Sequence, residues 1–233
     1  MRGGRQLLAS ITAGAVIVVA RLLTAVRDDW VGCAPSSVRR IYFANHTSHA
    51  DFVLIWTVLP PLARARSRPV AAADYWLKGW LRRFVIKDVF RGVLVERDSA
   101  QTRSHRQVPV DGEGRAKAPV DCMRQAVEEG ASLILFPEGT RNCTDDLVLP
   151  FKNGLYHLAR TLPDVELVPV WINNLNRVLP KGGVLPVPFL CTVTFGAPLT
   201  LFTAESKADF LRKARAALLA LAPAPPPLEV TDA

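Results

Sequence analysis

Only four cysteines occur in the 233 residues, at Cys33, Cys122, Cys143 and Cys191, and none stands two residues from another. That spacing argues against a zinc knuckle and a disulfide scaffold, and it fits a reducing compartment. The chain also lacks the marks of a zinc finger, a basic zipper or an aromatic ribonucleoprotein strand, so no nucleic-acid partner is expected. No Ser or Cys sits in a recognisable nucleophile turn, which argues against a covalent enzyme intermediate. Nothing resembles a long flexible linker, and the length suits one sizeable core.

What is present is a basic, globular chain: 49% hydrophobic, 21% charged, with a net charge of +8 and a pI near 9.7. Such a charge attracts anionic surfaces, and composition alone leaves nucleic acid, anionic lipid and phosphorylated small molecules open. Arg and Lys recur from Arg2 to Arg215 rather than forming one arm. Residues 7–26 form a run of mostly apolar and small residues broken only by Arg21, with Arg2 and Arg5 ahead of it. As a helix, twenty residues reach roughly 30 Å, about one bilayer core. Both flanks are basic, so a spanning helix has no clear orientation, and a helix lying in one leaflet fits equally well. A cleaved signal peptide has the same outline and is the third reading.

Beyond this segment, short apolar runs alternate with amphipathic stretches, the pattern of an α/β domain with a mixed, mostly parallel sheet flanked by helices. Strands are expected at 40–44, 69–73, 92–96, 132–136, 167–172 and 191–195, and helices at 49–59, 74–90, 120–129, 151–160 and 204–221. Residues 97–119 turn polar, with Pro109, Gly112, Gly114 and Pro119, and read as a long loop. The domain organisation expected is a membrane-associating segment at 1–30, a catalytic domain at 31–222 and a Pro-rich tail at 223–233.

Four segments carry chemistry. Asn45-His46-Thr47-Ser48-His49-Ala50-Asp51 follows a strand directly, where ligands bind in α/β sheets. A continuous helix would turn about 500° over five residues and hold His46 and Asp51 apart. With His46 in the strand-to-helix turn and Asp51 in the first helical turn, the imidazole can fold back onto the carboxylate, as a general base requires. Ser48 and Asp51 also have capping-box spacing, which would make Asp51 a helix start only. His49, two residues from Asp51, would point elsewhere and is read as incidental. In the second segment, Gly92-Val93-Leu94-Val95-Glu96-Arg97, the Arg97 guanidinium opens the long loop and either holds a phosphate or pairs with Glu96 or Asp98. The third, Phe136-Pro137-Glu138-Gly139-Thr140-Arg141, runs a buried strand into a turn where Gly139 permits close approach of a ligand between two charges. The fourth, Val168-Pro169-Val170-Trp171-Ile172, reads as one apolar wall.

In this order the four segments resemble the glycerolipid acyltransferase family that includes the 1-acylglycerol-3-phosphate acyltransferases. The family's Asn-His-x-x-x-x-Asp matches Asn45, His46 and Asp51; its Gly-to-Arg segment matches Gly92 and Arg97; its Phe-Pro-Glu-Gly-Thr-Arg is matched in full by 136–141. Val168, Pro169 and Val170 match its apolar strand, and Pro150-Phe151-Lys152-x-Gly154 is also family-like, so the resemblance runs over roughly 41–195. It implies His46 as general base and Asp51 as its orienting partner. Arg97 and Arg141 would contribute to phosphate binding, and Glu138, Gly139 and Thr140 would belong to the acceptor site. It further implies direct attack of the acceptor hydroxyl on a thioester, with no cofactor or metal. Departures are Asn142, where many relatives have Ser, and Val93 and Leu94, where Phe or Ile is frequent. Phe136-Pro137-Glu138 favours the lysophosphatidate branch over the glycerol-3-phosphate branch.

The partners implied are a lysophospholipid acceptor, acyl-CoA or acyl-carrier protein as donor, and a membrane surface with anionic lipid. A cytosolic carrier favours a retained anchor on the cytoplasmic face of the inner membrane over a cleaved signal. Trp76, Trp80 and Phe84 recur at four-residue steps beside Lys78, Arg82 and Arg83, which suits either a membrane interface or a core-packed helix. Acyl transfer to another lysolipid, such as a lyso-ornithine lipid, and a non-catalytic lipid-binding protein are the alternatives.

Overall fold

The computed structural model describes residues 2–96, 118–178 and 189–223. In chain order the elements are α1 (Arg2–Thr24), β1 (Arg27–Trp30), β2 (Arg40–Ala44), α2 (Asp51–Val58), α3 (Pro61–Arg66), β3 (Ser67–Ala72), α4 (Ala73–Trp76) and α5 (Trp80–Phe84). A π-helical turn (Val85–Val89) and β4 (Val93–Val95) follow, then α6 (Pro119–Glu128), β5 (Ser132–Leu135), α7 (Gly154–Thr161), β6 (Glu166–Asn173), α8 (Leu175–Val178), β7 (Thr192–Phe195) and α9 (Lys207–Leu219). Arg97, most of the expected 97–119 loop and the tail from 224 onward lie outside the described residues.

The seven strands form one sheet in the order β1-β7-β6-β2-β5-β3-β4, parallel throughout except for the antiparallel β6–β7 pair. The mixed, mostly parallel sheet flanked by helices expected from the sequence is therefore the fold. Alternation along each central strand splits the core in two. Tyr42, Ala44, Ile134, Val168 and Val170 face the layer of α1, α2 and the π turn, whereas Ile41, Phe43, Leu133, Leu135 and Leu167 face α6, α7 and α9. Because β5 inserts between β2 and β3, two segments 92 residues apart, one after Ala44 and one after Leu135, emerge side by side at the carboxyl ends of their strands.

Two expectations change. Residues 74–90 are not one helix: Gly79 adopts φ +86, a left-handed backbone that interrupts helical hydrogen bonding, so α4 and α5 are separate turns. Trp76 consequently packs edge-on against Phe52 while Trp80 is 80% exposed, so the four-residue spacing does not form one face. The polar tetrapeptide Arg27-Asp28-Asp29-Trp30, read from the sequence as part of the attachment, is the edge strand β1 and pairs with β7. Its ladder hydrogen bonds and the stack of Trp30 on Phe195, 3.9 Å between ring centres, replace the missing apolar pattern.

Helix α1 packs along the domain through Ala9, Ala13, Val16, Ile17 and Ala20, a stripe at helical spacing. Its other side leaves Leu7, Leu8, Ile11, Val18, Val19 and Leu22 each more than half exposed. Both ends are tied to the domain. Arg5 pairs with Asp88 at 2.7 Å, and the Leu23 and Thr24 carbonyls accept the N–H groups of Phe189 and Cys191 at 3.2 and 2.8 Å.

Candidate active site

Strand β2 ends at Ala44, and the side-chain amide of the next residue, Asn45, makes two hydrogen bonds to one residue of β6. Asn45 Nδ2 donates to the Ile172 carbonyl at 3.0 Å, and the Ile172 N–H donates to Oδ1 at 2.8 Å. The side chain thus takes the place of the next ladder pair and frees the backbone to turn. Residues 46–50 make that turn, and Asp51, fully buried, is the first residue of α2. One carboxylate oxygen, Oδ2, receives His46 Nδ1 at 2.8 Å and the N–H groups of Thr47 and Ser48 at 2.7 and 2.9 Å. The carboxylate that closes the turn through Thr47 and Ser48 also holds the imidazole, whereas Ala50, the residue that caps α2, offers no side-chain cap and the Ser48 hydroxyl accepts the Ala50 N–H. With Nδ1 donating to the carboxylate, Nε2 is the ring's proton acceptor, and the side chain is 19% exposed.

The turn after β5 supports the imidazole from a second direction. Phe136 stacks on the His46 ring with centres 4.1 Å apart and planes 14° from parallel. Gly139, at φ +68, lets the chain reverse, its N–H donating to the Phe136 carbonyl at 3.0 Å. A Cβ there would lie 2.7 Å from Lys152 Cδ. The reversal buries Glu138, 2% exposed, directly behind His46. Its Oε1 accepts the His46 N–H at 2.8 Å, and its Oε2 accepts the Leu149 N–H at 2.9 Å. Burial pushes the Glu138 carboxyl above the ordinary range, while these two N–H groups and the His46 charge oppose the shift and the Asp51 charge adds to it. The His46 carbonyl in turn accepts the Asn142 N–H at 2.6 Å. Asn142 also orders the following loop, its Oδ1 accepting both the N–H and the hydroxyl of Thr144.

The expected residues His46, Asp51, Glu138, Gly139, Thr140 and Arg141 thus come together, with Thr140 and Arg141 exposed at the rim. Reasoning from sequence gave no role to Lys152, whose side chain lies over Gly139, or to Asn45, although both stood in quoted motifs. It also set His49 aside. The structure places the His49 ring against Tyr75, centres 4.6 Å apart, with the Arg82 guanidinium 4.4 Å from the Tyr75 ring centre on the other contact. Burial, then Arg141 and His46, hold the His49 imidazole below its ordinary value; Arg82 adds to this and Asp51 opposes it. No sequence signal links 49, 75 and 82, because only the fold brings them together.

Among the described residues, no three His, Cys, Asp or Glu side chains converge as metal ligands would. The groove lined by Arg39, Arg66, Arg68, Arg91 and Glu129 opens near the amino ends of the strands and contains none of the side chains above.

The curated relatives include a 1-acyl-sn-glycerol-3-phosphate acyltransferase of Limnanthes douglasii, 30% identical over 190 residues, which are 78% of this chain and 58% of that protein. A protein of the same name from Saccharomyces cerevisiae is 30% identical over 146 residues, 62% of this chain and 42% of that one. The chain therefore spans about half the length of the curated relatives it matches. Among solved structures, the 1-acyl-sn-glycerophosphate (LPA) acyltransferase of Thermotoga maritima superposes with a TM-score of 0.64 over 93% of this chain and 80% of that one, at 19% identity, a likeness of fold. The family model described as Acyltransferase matches residues 33–173, which hold every described side chain of the site. With that match, and with its motifs assembled around one imidazole, the chain belongs to the acyltransferase family.

Proposed function

We propose that the chain is an O-acyltransferase that moves a fatty acyl group from acyl-CoA or acyl-carrier protein to the free hydroxyl of 1-acylglycerol-3-phosphate, giving phosphatidic acid. The observation that carries this reading is the 2.8 Å contact between His46 Nδ1 and Asp51 Oδ2, held by Glu138 from behind and Phe136 on its face. In the reaction, the acceptor oxygen bonds to the thioester carbonyl carbon as Nε2 of His46 takes its proton. The C–S bond then breaks, and the imidazolium returns the proton to the departing sulfur. Asp51 stabilises the imidazolium without itself taking the proton. Glu138, whose oxygens are occupied by two N–H groups, positions His46 rather than touching the acceptor. Arg141, with Arg97, receives the phosphate, and Gly139 and Thr140 line the approach. The names of the relatives support lysophosphatidate as acceptor.

The apolar face of α1 supports attachment to a membrane, on the cytoplasmic side where the acyl carriers are. A helix of 23 residues is about 35 Å long and, if it spanned, would place its ends on opposite sides of the bilayer. Here both ends bond to one domain, so we infer that α1 lies in a single leaflet with Leu8, Ile11 and Leu22 inserted.

The test is acyl transfer from a radiolabelled thioester to lysophosphatidate by purified protein on vesicles. His46→Ala is expected to abolish turnover, and undiminished transfer in that variant refutes the base assignment. A parent protein that binds lysophosphatidate vesicles yet transfers nothing to it would indicate a lipid-binding role instead.

A further inference from the structure

We propose that Arg82, lying over Tyr75 and beside His49, is an additional specificity residue that takes the anionic head group of the acceptor together with Arg141. This rests on the acyl-transfer reading and extends it to residues outside the family motifs. The residues come from three elements: His49 from the turn before α2, Tyr75 from α4 and Arg82 from α5. Tyr75 bridges them, with His49 at 4.6 Å and the Arg82 guanidinium at 4.4 Å from its ring centre. Among the described residues no carboxylate pairs with Arg82 or with Arg141, and both are exposed, so their charge is available to an incoming anion. His49 lies within electrostatic reach of both guanidinium groups and of His46, so the charges of Arg82 and Arg141 stand near the His46 imidazole. The contact with the Tyr75 ring holds the guanidinium in place in advance, so an anion can be met by its N–H donors at small entropic cost.

The position also suits a lipid. Trp80 and Leu81, immediately before Arg82, are 80% and 57% exposed. An acceptor whose acyl chain lies in the leaflet touched by these two side chains brings its phosphate to Arg82 before its hydroxyl reaches His46. The interruption at Gly79 has a consequence here. It turns α5 so that Trp80 and Leu81 face outward while Arg82 folds back onto Tyr75.

The experiment compares Arg82→Met and Arg82→Lys with the parent, using 1-acylglycerol-3-phosphate and phosphate-free 1-acylglycerol as acceptors. Loss of one cation–phosphate contact is expected to raise KM for the phosphate acceptor about tenfold, with kcat nearly unchanged. The kcat/KM ratio of the phosphate acceptor over 1-acylglycerol then falls about tenfold, and Arg82→Lys recovers part of it. An equal fall for both acceptors means that Arg82 only clamps α5 to α4, and overturns the proposal. A second readout needs no turnover: glycerol 3-phosphate titrated into the parent should shift the NMR signals of the His49 ring, and should not in Arg82→Met. A parent that transfers no acyl group but shows this shift keeps the anion site and removes the enzymatic reading. Normal turnover with unchanged KM in Arg82→Met and no His49 shift removes the anion site alone.

Discussion

Replacing Asp51 by Asn separates orientation from charge, because the two carboxylate oxygens have unequal surroundings. Oδ2 accepts three N–H donors, from His46, Thr47 and Ser48, whereas Oδ1 is buried without a partner. In Asp51→Asn the amide oxygen must take the Oδ2 place, since an NH2 group there would face three donors. The NH2 then occupies the Oδ1 place, the imidazole keeps its orientation, and Nδ1 keeps its proton. Only the charge is lost. A hydrogen bond to an ionised acceptor contributes about 1.5–3 kcal/mol and a neutral one about 1 kcal/mol. The imidazolium in the transition state therefore loses about 0.5–2 kcal/mol, a fall in kcat of roughly 2- to 30-fold. Asp51→Ala removes the acceptor itself. It leaves Thr47 and Ser48 N–H groups unpaired at about 1–3 kcal/mol each in stability, and it frees the ring, for a loss in kcat of about 10²- to 10⁴-fold. The assays are acyl-transfer kcat, the urea midpoint of unfolding and the ¹⁵N NMR signature of the His46 tautomer. If Asp51→Asn were as inactive as Asp51→Ala while Nδ1 still carried its proton, orientation would count for nothing and the reasoning would fail.

Three further outcomes are expected. Gly139→Ala must place a side chain at φ +68 and move Lys152, which costs about 1–3 kcal/mol and displaces the turn behind Glu138; thermal unfolding and kcat should both fall. Glu138 holds its proton to higher pH in the folded protein than the 4.5 of the unfolded chain, so its contribution to stability is full below 4.5 and is lost as pH rises through the native value. In Glu138→Gln this pH slope should vanish from urea titrations, with about 2–3 kcal/mol lost as one N–H faces an amide donor. Leu8→Ser, Ile11→Ser and Leu22→Ser together should release the protein from anionic vesicles in a sedimentation assay without changing its circular dichroism, since these side chains touch no core; unchanged binding would count against a leaflet-embedded α1.

Much of the fold was legible because its signals are local. Continuous apolar runs marked β2, β5 and β6, which are buried on both faces, and the return of His46 onto Asp51 involves a turn of five residues. The residues of the 136–141 segment identified themselves by type and order. Edge strand β1 was hidden because its partners are ladder bonds from β7 rather than an apolar pattern of its own. The break at Gly79 was hidden because apolar spacing continues across it, and spacing does not report a backbone angle.

Sequence by itself therefore determined which side chains could do the chemistry, since reactivity belongs to residue type and to spacing within a turn. Only tertiary structure decided how they are held. The insertion of β5 beside β2 puts Glu138 under a backbone N–H 92 residues away and Phe136 against the imidazole. The same packing gathers His49, Tyr75 and Arg82, and ties both ends of α1 to one domain. These are contacts between separate elements, fixed by strand order and by burial of the shared core, and no local pattern encodes them.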